Sequence, residues 1–208
     1  MKSALIVDDH PVVRAAVKIV LEQEGFKRIY EVAIGSEVMA MVREHSPDLV
    51  VLDLVMPSLD GLDVLGRLKI ANVPSRVLVF TSQEPQFYQE RCMRAGAMAY
   101  VAKTNDLSHL HKAVHALMAG YTYFIQLASG SVALNNLQSS EKELIDKLSD
   151  RELMIFQHLA RGLSNKAIAE AMHLSHKTVS TYKTRCNEKL GLTSAVHCRD
   201  FAKRNHLI

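Results

Sequence analysis

LVVLD (Leu49–Asp53) is an unbroken apolar run that stops on a carboxylate. Consecutive apolar residues without polar alternation suit a strand covered on both faces, as in a parallel sheet flanked by helices. The same pattern recurs on either side of it. ALIV (Ala4–Val7) ends at Asp8-Asp9, VLVF (Val77–Phe80) ends at Thr81-Ser82, and AYVAK (Ala99–Lys103) ends at a lysine, with a weaker strand near Arg28–Ala33. Helical spacing fills the intervals. Val12, Val13, Ala16, Val17, Val20 and Leu21 follow Pro11, a residue suited to a helix start. Val38, Met41 and Val42 repeat the spacing, as do Leu62, Leu65 and Leu68 after Gly61, then Phe87 to Ala95 and Leu107 to Met118. The sum is about five βα units, which predicts a doubly wound α/β domain with a five-stranded parallel sheet over residues 1–120.

In an open sheet of this kind the functional crevice lies outside the carboxyl ends of the strands. Asp8, Asp9, Asp53, Thr81 and Lys103 all stand there. Each has a bland reading: Asp9 as a cap for the Pro11 helix, Thr81 as a cap for the next helix, Lys103 as a solvated lysine. Those readings must hold together at four strand ends to be right. Three carboxylates gathered in one place repel and call for a cation. A hard divalent ion with oxygen ligands, Mg2+ above all, answers that need. A lysine in the cluster is superfluous for a plain metal site and makes sense if an anion is held. The chemistry that fits is transfer of a phosphoryl group to a carboxylate, with Asp53 as nucleophile and Mg2+ and Lys103 neutralising the transferring group.

Four segments carry a family resemblance: LIVDDHPVVR, VVLDLVMPSLDGLDVL, VLVFTS and AGAMAYVAK. Together they resemble the receiver domain of two-component response regulators, over about residues 1–120. The resemblance implies that Asp53 is the phosphoacceptor. It implies that Asp9 ligates the metal directly and Asp8 through water, and that the backbone carbonyl of Val55 completes the protein ligands. Thr81 and Tyr100 match the family's switch pair, and Lys103 its lysine. The family's strand order comes with the resemblance. One departure is Thr104, where receivers usually carry proline. A phosphoryl group adds charge and strong acceptors. Thr81 is expected to turn toward it, vacating space for the ring of Tyr100.

The net charge of +3 is unevenly spread. From Ser149 onward there are 10 Lys and Arg against 5 Asp and Glu, a net of +5, which leaves −2 for the remainder. A basic C-terminal third suggests an anionic partner. Residues 121–147 are rich in Ser, Asn and small residues and read as a linker with helical character near its end. From 148 to 208 the pattern is helical throughout. Ser149 and Glu152 have capping-box spacing, Gly162 ends that helix, Ser164 and Ser175 open the next two, Gly191 follows, and Thr193 or Ser194 opens a fourth. Ile168, Ala169 and Met172 give one helix an apolar face, Leu174 sits in a turn, and Val179, Cys186 and Leu190 stripe the next. The other face of that helix carries Lys177, Thr178, Ser180, Thr181, Lys183, Thr184 and Arg185, hydroxyls and cations suited to a major groove. Asn165 and Lys166 begin the preceding helix, where amide ends favour phosphate. A Lys/Thr face is also simply a soluble face.

The segment LSDRELMIFQHLARGLSNKAIAEAMHLSHKTVSTYKTRCNEKLG resembles the DNA-binding domain of the LuxR/FixJ/NarL group. The pieces SNKAIA and KTVSTYK, GYTYF at 120–124 and AKRN at 202–205 are similar to the BvgA/EvgA-type regulators. This implies a helix-turn-helix over 165–184 with a recognition helix over 175–189. It also implies a homodimer formed through the last helix on paired half-sites of double-stranded promoter DNA. A sensor histidine kinase or phosphorelay domain would supply the phosphoryl group, and RNA polymerase is a further candidate partner.

Composition agrees with a cytoplasmic, non-membrane protein. Hydrophobic residues make up 48% and charged residues 23%, an ordinary globular balance. No apolar run reaches the ~20 residues of a membrane span, and the acids of MKSALIVDDH interrupt what a signal peptide would need. Cys92, Cys186 and Cys198 are too scattered for a disulfide framework or zinc site. Two rival functions compete with a phosphorylation-dependent transcription regulator. One is a phosphatase with an aspartyl nucleophile, whose D-x-D motif is matched neither by DDH nor by the sequence after Asp53. The other is a phosphorylation-independent DNA-binding regulator with a vestigial receiver, against which the complete set of five residues argues. The protein is therefore expected not to be an enzyme.

Overall fold

The computed structural model describes residues 1–56, 61–104, 106–125 and 136–208. They divide into two units, Met1–Ala128 and Ser129–Ile208. In the first, β1 (Ser3–Val7), β2 (Arg28–Val32), β3 (Leu49–Leu52), β4 (Arg76–Thr81) and β5 (Ala99–Ala102) form one sheet in the order β2-β1-β3-β4-β5. Every pairing is parallel. Helices α1 (Pro11–Gln23), α2 (Val38–His45), α3 (Gly61–Ile70) and α4 (Pro85–Ala95) connect the strands, and α5 (Ser108–Met118) follows β5.

All residues of β1 and β3 are buried, as their unbroken apolar runs require. Because side chains alternate across a strand, the two faces are separate layers. Ala4, Ile6, Leu49, Val51, Leu78 and Phe80 pack with Val17, Val20 and Leu21 of α1 and with Leu110, Val114 and Leu117 of α5. Each such side chain contributes about 1.5–3 kcal/mol on burial. Val12 departs from the expected core face of α1: it is 81% exposed. With 3.6 residues per turn, Val13, Val17, Val20 and Leu21 define the inward stripe, and Val12 projects outward with Ile19. Helix α4 begins at Pro85, before the apolar spacing starts, since proline suits a first turn.

Register places the site. Val7 pairs with Leu52, Leu52 with Val79, and Thr81 with Ala102. Asp8, Asp53 and Lys103 each stand one residue past a paired position, and Thr81 ends β4. The strand order reverses between β1 and β3, the switch point where α/β sheets open a crevice. Gly61, at the start of α3, closes against this edge. A β-carbon there would lie 2.6 Å from Cα of Leu54 and closer still to the backbone oxygen of Asp53, so only glycine lets α3 approach.

The second unit is all helical: α6 (Asn136–Asp146), α7 (Asp150–Ala160), α8 (Asn165–Ala171), α9 (His176–Leu190) and α10 (Ala195–Arg204). Ser149 and Glu152 form the capping box, and Ser164, Ser175 and Ser194 cap α8, α9 and α10 through their hydroxyls. Ile155, Ile168, Ala169 and Val179 make the centre of the core, with Phe156 and Phe201 edge to face at 5.9 Å. Part of the stretch 121–147 is more ordered than a polar linker. Helix α6 buries Ile145, and Glu141 accepts hydrogen bonds from Arg204 at 2.9 Å and Asn205 at 2.6 Å. Residues 126–135, the middle of that stretch, lie outside the described residues.

Candidate functional site

Four strand ends bring their polar residues together. Nζ of Lys103 lies 2.6 Å from Oδ2 of Asp53 and 2.8 Å from Oδ2 of Asp8. Asp8 and Asp53 are buried, at 3% and 2% exposure, and Thr81 is wholly buried. Oδ1 of Asp53 accepts the Val55 N–H at 3.3 Å. Burial pushes the Asp53 carboxyl above the usual carboxylate range, and the charge of Asp8 adds to that, against the opposing pull of Lys103 and the Thr81 hydroxyl. Burial works against the Lys103 ammonium, yet Asp53 and Asp8 hold it above its ordinary range. The peptide bonds of the described residues are all trans, that joining Lys103 to Thr104 included.

Asp9 and His10 stand at the mouth of the pocket. Oδ1 of Asp9 is shielded from solvent and has no hydrogen-bond partner; Nδ1 of His10 sits 2.7 Å away without forming one. One ligand atom from each of Asp8, Asp9, His10 and Asp53 falls within 4.8 Å of the others. An orphaned carboxylate oxygen beside two buried carboxylates and one lysine leaves a net negative charge to be neutralised. Oxygen donors in that arrangement fit a hard divalent cation. Sequence reasoning missed two neighbours. His10 follows the acidic pair directly in the sequence, and nothing in its spacing marks it as a member of the site. Arg14 donates to the backbone oxygen of Asp8 at 2.9 Å while Glu31 holds its guanidinium at 3.1 Å, a link between β2 and the pocket that no local spacing reveals.

Tyr100 is fully buried, and its hydroxyl donates to the backbone oxygen of Gln83 at 2.9 Å. The ring therefore already occupies the inner position rather than waiting outside it. The Gln83 N–H in turn donates to Oγ1 of Thr81 at 3.4 Å.

In the helical unit, Lys177, Ser180, Thr181, Lys183, Thr184 and Arg185 are exposed on α9, while Thr178 is half-buried. Lys166 is exposed and Asn165 half-buried at the start of α8. The hydroxyls are not all turned outward. Thr181 donates to the backbone oxygen of Lys177 at 3.0 Å and Thr184 to that of Ser180 at 3.2 Å, and Thr178 shares a hydrogen bond with the capping Ser175 at 2.7 Å. Such i−4 bonding is the usual resting place of a helical threonine hydroxyl. The guanidinium of Arg185 lies 5.9 Å from the Tyr182 ring. The three cysteines are buried and form no disulfide, and burial pushes the Cys186 thiol up to about 12. None of the described helices is long and apolar enough to cross a membrane.

A parallel α/β unit with a lysine-bridged aspartate pair at its switch point, joined in one chain to a capped helix-turn-helix, defines a receiver linked to a DNA-binding domain. Comparison with known proteins agrees. The response regulator receiver domain matches residues 4–115, and the bacterial regulatory proteins of the luxR family match residues 146–202. The chain belongs to the LuxR-family response regulators, DNA-binding transcription regulators of two-component systems whose activity the family ties to receiver phosphorylation. It is 48% identical over 203 residues to the virulence factors putative positive transcription regulator BvgA of Bordetella pertussis, covering 98% of this chain and 97% of that one. It is 31% identical over 208 residues to the DNA-binding transcriptional activator EvgA of Escherichia coli, covering 99% of each. Among solved structures, the RcsB response regulator of Salmonella typhimurium shares the fold at a TM-score of 0.58 and 22% identity, over 98% of this chain and 100% of that one.

Proposed function

We propose that Asp53 accepts a phosphoryl group from a phosphohistidine of a sensor kinase or phosphorelay domain. The N–P bond of the donor breaks, an Asp53 carboxylate oxygen forms the new O–P bond, and the histidine nitrogen leaves with its electron pair. The observation that carries this reading is the buried Asp53 carboxylate bridged by Lys103 beside the orphaned oxygen of Asp9. Asp9, Asp53 and the Val55 carbonyl would hold Mg2+, with Asp8 reaching it through water; when bound, the ion neutralises charge on the transferring group. Lys103 holds one phosphoryl oxygen and Thr81 donates to another, so positioning supplies most of the catalysis. The Thr81–Gln83–Tyr100 chain then carries the change to α4 and β5.

The phosphorylated protein acts in the cytoplasm as a homodimer paired through α10 on double-stranded promoter DNA, in reach of RNA polymerase. Helix α9 enters the major groove. Lys166, Lys177, Lys183 and Arg185 meet phosphates or guanine, Asn165 meets a phosphate at the start of α8, and Thr178, Ser180, Thr181 and Thr184 face the bases or backbone. Incubation with acetyl phosphate and Mg2+ tests the first half: the chain gains one acyl phosphate by intact mass, and Asp53→Asn gains none. Unchanged labelling of Asp53→Asn would remove Asp53 from this role. Gel shift on genomic fragments with and without acetyl phosphate tests the second half; equal affinity in both would favour the vestigial-receiver reading.

A further inference from the structure

Gln89 performs no role in the phosphoryl chemistry, yet it holds the segment that leaves the receiver. It lies on the buried side of α4, 8% exposed. Its Nε2 donates to the backbone oxygen of Ile125 at 2.9 Å, and its Oε1 accepts the Ile125 N–H at 3.1 Å. Both ends of one buried amide close on one backbone residue. Two residues earlier the segment is bonded to β5. The Tyr100 N–H donates to the Tyr123 oxygen at 3.0 Å and the Tyr123 N–H to the Met98 oxygen at 3.0 Å, a parallel bridge opposite Ala99. Tyr121–Ile125 thus lies along the outer edge of β5, pinned at its far end to α4.

Tyr100 joins this segment to the pocket. Its N–H holds Tyr123, and its hydroxyl holds Gln83, whose own N–H reaches Thr81. We propose that Gln89 and Tyr100 form a latch on Tyr121–Ile125, and that phosphorylation of Asp53 tightens it. The second clause rests on the reading of Asp53 as phosphoacceptor. A phosphoryl group brings strong acceptors to the Thr81 hydroxyl. Engaging that hydroxyl fixes the loop from Thr81 to Glu84, which keeps the Gln83 oxygen over Tyr100 and the start of α4 in one place. Gln89, further along α4, then stays in register with Ile125. Release frees Tyr121–Ile125 from the edge of β5 and from α4.

Hydrogen exchange on the full chain, with and without beryllium fluoride and Mg2+, reads the amides of Tyr100, Tyr123 and Ile125. Fluorine NMR of the same samples reports whether the fluoride is bound. Gln89→Ala removes both hydrogen bonds, and Gln89→Glu keeps the shape but loses the donor. Gln89→Ala should speed Ile125 exchange about tenfold without fluoride, and Gln89→Glu, which keeps an acceptor for the Ile125 N–H, should speed it less, with β1 and β3 amides unchanged in both. In the unsubstituted protein, bound fluoride should slow all three amides severalfold, and in both variants Ile125 should not respond. Equal Ile125 exchange in the unsubstituted protein and both variants overturns the latch. Equal exchange with and without bound fluoride overturns its coupling to the pocket. An absence of bound fluoride signal overturns the Asp53 reading and the coupling with it, leaving the latch to be judged by the two variants alone.

Discussion

Nζ of Lys103 lies 2.6 Å from Oδ2 of Asp53, although β4 separates the strands that carry them. The contact exists because parallel register ends β3 and β5 at the same level, and because the long lysine stem spans the strand between. It pairs two groups that would each be costly alone: a carboxylate at 2% exposure and an ammonium with little access to water. Asp8 shares the same ammonium at 2.8 Å, so one cation serves two buried anions and the cluster stays short of positive charge.

Lys103→Ala therefore has two expected consequences. Removing one partner of a buried ion pair leaves its anions uncompensated, at about 3–5 kcal/mol. Urea denaturation should show this loss, and added Mg2+ should recover part of it by binding the folded pocket. Loss of a preorganised donor to the transferring group should also slow acyl-phosphate formation from acetyl phosphate about 100-fold. Retention of the full rate at saturating Mg2+ would assign Lys103 to stability alone.

Strand-end residues were legible because their signal is local. A run such as ALIV stops at Asp8 and can stop nowhere else, and parallel topology then brings the ends together. Features that depend on distant partners left weaker traces. Val12 fits the core face by spacing because apolar residues near a helix start satisfy several spacings at once, and only packing distinguishes them. Helix α6 shows in the sequence only as helical character near the end of a polar stretch, since what orders it includes Glu141 meeting Arg204 and Asn205 at the far end of the domain. The edge position of Tyr123 could not be read from GYTYF, because its partners Met98 and Tyr100 lie more than twenty residues earlier. Threonine rotamers on α9 are likewise set by the helix carbonyls, which composition does not reveal.

Glu152 gives the helical unit a pH dependence of definite sign. Burial opposes its charge, but hydrogen bonds from Lys189 at 2.6 Å and from the Ser149 N–H at 2.7 Å prevail and hold the carboxyl below the usual glutamate range. A depressed folded-state value favours folding above the unfolded value, about 4.3. That contribution is lost as pH falls through the lower folded value. Denaturant titrations of this transition should thus lose stability on acidification below about pH 4. Glu152→Gln should lower stability at pH 7 by about 1–2 kcal/mol, through the weakened capping box and the lost ion pair. It should also flatten the acid limb. An acid limb identical in the variant would assign that limb to other carboxylates.

Lys183 separates a phosphate contact from a merely soluble face. It is exposed on α9, the helix capped by Ser175, with the apolar stripe of Val179, Cys186 and Leu190 buried on the other side. If α9 lies in the major groove, a lysine here neutralises a phosphate and releases a counterion. The slope of log affinity against log salt then becomes less negative by about 0.9 for each such contact removed. Lys183→Ala should weaken binding to specific and nonspecific duplexes alike, most at low salt, with thermal stability near that of the unsubstituted chain. A side chain that reads a guanine gives a different pattern: specificity falls at one base pair and nonspecific affinity is retained. An unchanged affinity and slope between 50 and 200 mM salt, a range over which several lost contacts are readily seen, would place Lys183 on a solvated face away from the duplex.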